Sequence, residues 1–138
     1  MNEPELKEFT QIEANLKAHM SSILSPWYRY FLSYNPRPTL KKVKVPVLAL
    51  NGDADVQVSS KENLALISAA LKAGGNKDFT TKSFPKLNHL FQTSKTGLPN
   101  EYGEIEETIS PLVLKTISSW ILERTIKKWQ YDNSESRP

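Results

Sequence analysis

Two short stretches of the chain hold residue types that can do acid–base chemistry at a spacing that makes sense together. One is Gly52-Asp53-Ala54-Asp55-Val56-Gln57-Val58, and the other is Leu87-Asn88-His89-Leu90-Phe91. A carboxylate that accepts the Nδ1–H of an imidazole fixes the tautomer of the ring. It also stabilises the imidazolium formed when the ring acts as a general base. Asp55 is the first choice for the acid and His89 for the base, with Asp53 the second choice of acid. Each residue alone has a plainer reading. An Asp after a strand and a Gly is often a turn residue bonding nearby backbone N–H groups, and a lone His can be structural or merely exposed. What favours the pair is placement, since each stretch follows a predicted strand.

The elements that must position these residues follow from periodicity. Leu6, Phe9, Ile12, Leu16, Met20, Ile23 and Leu24 recur at spacings of three and four, which predicts an amphipathic helix over residues 4–24. Ser25-Pro26 caps a second short helix, Trp27 to Leu32. Pro36 and Pro38 keep Tyr34 to Thr39 extended or turning. Val43 to Leu50 ends in an unbroken apolar run before Asn51-Gly52 and predicts a buried parallel strand. Ser59 and Glu62 have capping-box spacing for a helix that turns Leu64, Ile67 and Leu71 inward and stops at Gly74-Gly75. Phe79 to Phe84 is a second strand ended by Pro85, and a long loop runs from Lys86 to about Thr108. Ser110-Pro111 opens a last helix with Val113, Ile117, Trp120 and Ile121 on its buried stripe. Residues 131–138 form a polar tail expected to be disordered. Strands alternating with helices give an α/β class with parallel pairing, about two strands flanked by four helices. In such sheets functional groups collect beyond the carboxyl ends of the strands. Neighbouring strands lie about 4.8 Å apart, so the loops holding Asp55 and His89 open side by side if the two strands pair.

Composition narrows the function further. The 138 residues are 38% hydrophobic and 24% charged, ordinary for a globular protein, and 18 basic against 15 acidic residues leave a net charge of +3. The nearest basic run, Lys41, Lys42 and Lys44, is a solvated turn before a strand, so neither nucleic acid nor a membrane surface is indicated. No cysteine is present, and the two histidines, His19 and His89, have no ligand spacing, so no metal site is expected. The N-terminal residues lack the basic-then-apolar pattern of a signal peptide. No apolar run reaches the ~20 residues that span a bilayer. On the chain alone the expectation is a soluble, cytoplasmic protein.

Pro46 to Gly52 followed by Asp55 and Val58 resembles the acid-bearing strand and turn of the α/β-hydrolase superfamily, with its Gly-x-x-Asp-x-x-Val pattern. Leu87 to Phe91 resembles that superfamily's histidine loop. The nearer likeness is to the bacterial esterase and serine-peptidase-like branch, related to prolyl oligopeptidase and dienelactone hydrolase domains. Ser25 to Phe31 resembles the helix ahead of the acid strand in that branch, and Glu101 to Pro111 the approach to its final helix. The resemblance implies Asp55 as triad acid and His89 as general base, with no metal or organic cofactor.

Triads of this superfamily run Ser, then Asp or Glu, then His along the chain, with the serine on a Gly-x-Ser-x-Gly elbow. The first glycine here is Gly52, so no elbow precedes Asp55, and one donor of the oxyanion hole is lost with it. The expectation is therefore the C-terminal half of a serine hydrolase for carboxylic esters or peptides, inactive alone. Residues 1–130 would be one part of that domain, with 1–33 its helical segment and 43–130 its strand–helix–strand–helix portion. In the superfamily's sheet the strand at 46–51 also has a neighbour that is absent here. Its open edge predicts a homodimer or pairing with the missing N-terminal half. The alternative is a non-catalytic interaction module or pseudoenzyme that binds a partner through that edge.

Overall fold

The computed structural model describes residues 3–135, without the side chains of residues 3–5, 9 and 127–135. The backbone divides into two compact units between Pro36 and Arg37.

The first unit is a pair of helices, α1 (Glu3–Ile23) and α2 (Pro26–Ser33). Ser25 caps α2 by accepting the Tyr28 N–H at 3.2 Å, and Pro26 occupies the first turn, where its missing N–H leaves no bond unmade. Trp27 and Phe31, one turn apart, stack with ring centroids 5.5 Å apart. The helical periodicity of α1 forms as expected, yet Leu6, Ile12, Leu16, Met20 and Ile23 are all exposed.

The second unit carries the sheet. Its elements are α3 (Arg37–Leu40), β1 (Val47–Gly52), α4 (Ser60–Ala73), β2 (Phe79–Phe84), a 3-10 turn (Pro99–Glu101) and α5 (Pro111–Glu135). α3 is a single helical turn where extended or turning chain is expected, with Pro38 in its first turn. β1 and β2 pair in parallel, in a register running from Val47 opposite Phe79 to Gly52 opposite Phe84. β1 begins four residues later than the apolar pattern predicts. Pro46 has no N–H for a ladder, and the Asn76 amide takes the Val43 and Val45 carbonyls at 3.1 and 3.0 Å.

α4 starts as predicted, with Ser59 Oγ accepting the Glu62 N–H at 3.5 Å, and it ends at Gly74 before Gly75 with φ +78°. Side chains of the sheet alternate between two faces. Leu50, Thr80 and Phe84 meet α5, as the Trp120 Nε1–H to Thr80 Oγ1 bond at 3.3 Å and the Phe84–Leu87–Val113 core record. Phe79, of opposite parity, lies under the Lys72 ammonium of α4. The two helices therefore cover opposite faces. On α5, Val113 is buried and Ile117 half-buried, but Ile121 is exposed, contrary to the predicted stripe. It borders an open groove with Leu48, Leu50 and Phe91. α5 continues to Glu135, past the predicted start of the tail, and residues 136–138 lie outside the described residues. Among the described residues no helix is long and apolar enough to cross a membrane.

Candidate active site

The site is built where β1 and β2 end. Parallel pairing does not stop with the strands. Asp53 N–H donates to the Phe84 carbonyl at 2.8 Å, and Ala54 N–H to the Leu87 carbonyl at 3.1 Å. These two bonds stitch the acid turn to the histidine loop. Gly52 makes the approach possible, since a Cβ there would lie 2.0 Å from the Leu87 carbonyl oxygen.

Asp55 turns its carboxylate back over the start of the turn. Oδ1 accepts the backbone N–H groups of Gln57 and Val58, both at 2.9 Å. Oδ2 meets His89 Nδ1 at 2.9 Å and accepts the Asn51 amide at 3.0 Å. The Asp55 side chain is 4% exposed and that of His89 40%. Burial alone would raise the Asp55 pKa. The hydrogen bonds from His89, Val58 and Gln57 outweigh it and hold the carboxyl below its usual range. An ionised carboxylate can only accept, so the proton of the shared bond sits on Nδ1, which in the neutral ring leaves Nε2 its lone pair. No hydrogen bond to Nε2 is made among the described residues.

Of the sequence-predicted residues, the structure thus brings Asp55 and His89 together. Asp53 goes elsewhere, with its Oδ1 accepting the Lys86 N–H at 2.6 Å and holding the far side of the histidine loop.

The histidine loop is ordered by a residue that sequence reasoning did not single out. Asn88 is fully buried, and its Oδ1 accepts the N–H groups of Leu90 and Gln92, each at 2.9 Å. Its amide donates to Gln92 Oε1 at 2.9 Å, and its own N–H donates to the Gln92 carbonyl. Residues 86–94 close on themselves around it, leaving His89 at the tip. Phe91 takes φ +59°, unusual for an aromatic residue, and its carbonyl accepts the Ser110 N–H that leads into α5. An Asn directly before the His was the available signal, because Asn bonds backbone two residues on.

The following loop packs on the acid turn. Gln57 Nε2–H donates to the Tyr102 hydroxyl at 2.8 Å, and Gly97, with φ +77°, leaves no room for a Cβ against the Ala54 carbonyl. Hydrogen bonds from Thr96, aided by the Lys95 N–H, hold the Glu101 carboxyl below its usual range against burial.

The prolyl oligopeptidase family model matches residues 8–107, a span that contains both strands, Asp55 and His89. The chain belongs to the prolyl oligopeptidase family. That membership makes it serine-hydrolase-like, and its parallel pair with flanking helices is the α/β character of the α/β-hydrolase superfamily. No curated protein and no solved structure matches the chain.

Proposed function

We propose that this prolyl oligopeptidase-family chain supplies the acid and the general base of a serine hydrolase acting on carboxylic esters or peptides. The observation that carries the reading is the 2.9 Å bond between His89 Nδ1 and a nearly buried, ionised Asp55. Such a bond leaves Nε2 as the basic nitrogen. In the reaction Nε2 takes the hydroxyl proton of a serine as the serine oxygen attacks the acyl carbon. Asp55 stabilises the imidazolium, which then gives its proton to the departing alcohol or amine. Water, activated by the same nitrogen, releases the acid and restores the serine. No metal or organic cofactor is needed for these steps.

The serine itself comes from a segment outside this sequence, because no glycine precedes Gly52 to build an elbow. That segment adds strands at the free edge of β1. The expected result is no adduct when the purified chain meets a fluorophosphonate. Addition of the nucleophile-bearing segment gives ester hydrolysis, which falls by as much as ~10⁶ in turnover on His89→Ala. A stoichiometric adduct on the chain alone would overturn this division of labour.

A second reading is favoured by the sheet. Val47 and Asp53 direct their N–H groups to the β2 side, so alternation turns the N–H and C=O of Leu48 and Leu50 to the open edge. On this reading the chain is a non-catalytic module that pairs with a second copy, β1 against β1. Adding the nucleophile-bearing segment separates the two, since a non-catalytic module gains no ester hydrolysis from it.

A further inference from the structure

We propose that Asn51 is the positioning residue of the acid–base pair, its side-chain amide holding Asp55 Oδ2 toward the ring and thereby setting the tautomer of His89. This rests on reading Asp55 and His89 as acid and base.

The two oxygens of Asp55 are held in different ways. Oδ1 sits on two backbone N–H groups, which belong to the turn and move with it. Those bonds fix one oxygen but tolerate rotation of the carboxylate plane, because acceptor directions at a carboxylate are broad. Oδ2 faces a ring that is 40% exposed, so packing alone does not fix the ring against it. The remaining bond at Oδ2 comes from Asn51 Nδ2, at 3.0 Å.

That donor is itself held at both ends of the turn. The same amide nitrogen lies 3.2 Å from the Gly52 carbonyl and 3.3 Å from the Val58 carbonyl. It therefore spans the first and last residues of the segment that carries Asp55. Asn51 is buried and paired with Ser83 in the sheet, so its backbone cannot drift. A buried amide costs free energy unless bonded, and an apolar side chain would fill the same place without that cost. What the amide adds is a hydrogen-bond donor aimed at the oxygen that the imidazole uses. Its neighbour Gly52 lets the histidine loop come close, and Asn51 then orients the carboxylate that receives it.

The test uses the intact, ¹⁵N-labelled chain at a pH above the imidazole titration, with long-range ¹H–¹⁵N spectra that report which ring nitrogen carries the proton. In the wild type His89 is expected as mostly the Nδ1–H tautomer. In Asn51→Leu, which keeps the branching at Cγ and removes the donor, that form falls to a minority and Nε2–H predominates. Asp55→Asn is the control for the pair itself. If Asn51→Leu keeps the wild-type tautomer while Asp55→Asn loses it, the positioning role is wrong and the pair stands. If both keep it, the Asp55–His89 reading fails first. Should Asn51→Leu not fold, the smaller Asn51→Ala removes the same donor and is read by the same spectra. The Nδ1–H form is expected to fall to a minority there too, and an unchanged tautomer would overturn the proposal.

Discussion

Asp53 and Asp55 stand two residues apart in one turn, and the backbone gives them different partners. Asp53 bonds the Lys86 N–H, whereas Asp55 bonds two N–H groups of its own turn and the imidazole. Loss of Asp55 to Ala removes charge-assisted bonds of a nearly buried group, so it should cost about 2–3 kcal/mol in urea unfolding at neutral pH. The pH dependence follows from the direction of its shift. A carboxyl held below its usual range stabilises the fold fully above the unfolded value near 4, and less as pH falls through the folded value. The gap between wild type and Asp55→Ala should therefore shrink as pH falls below about 4. A gap that widens in acid would contradict the ionised pair. Gly52→Ala is expected to be harsher, above about 3 kcal/mol, because the new methyl meets a backbone carbonyl rather than a side chain that can yield.

At the scale of elements, the two site loops differ in how their order arises. The acid turn hangs from β1 by the Asn51 amide, whereas the histidine loop is organised from within by Asn88. Asn88→Ala should strand the N–H groups of Leu90 and Gln92 and the side-chain oxygen Oε1 of Gln92. Its cost is expected at about 2–4 kcal/mol, with a shifted His89 resonance, while Trp120 on α5 keeps its indole signal. Much of this layout was legible beforehand. β2 ends just before Pro85, α4 begins at a serine whose hydroxyl reaches the third N–H, and α2 begins at Ser25-Pro26, since turn and cap chemistry is local. The start of β1 was not legible, because it depends on Asn76, over thirty residues away in sequence, taking the Val43 and Val45 carbonyls. The exposure of Ile121 was equally hidden. A helical stripe reports which residues share a face, not how much sheet lies under that face. The pairing of Asp55 rather than Asp53 with His89 was readable only through the family-like spacing, as composition alone treats the two acids alike.

For the molecule as a whole, apolar surface remains in each unit. In the first, Leu16, Trp27, Phe31 and Leu32 are among the exposed side chains; in the second, Leu48 and Leu50 flank an open strand edge. Such edges pair with other chains unless charged or covered. The pure chain is expected to self-associate in sedimentation runs as concentration rises, and Leu48→Lys should reduce that association; a strict monomer at high concentration would argue against an available edge. The bonds from Asp53 to Phe84 and from Ala54 to Leu87 have a different kind of consequence. They make acid turn and histidine loop an extension of the ladder, so the site cannot come apart on its own while the strands remain joined. Amide exchange at Ala54 should then be as slow as at Asn51, and on heating the tautomer signal of His89 should vanish in the same transition as the sheet, with no earlier step in which a folded protein has already lost its acid–base pair.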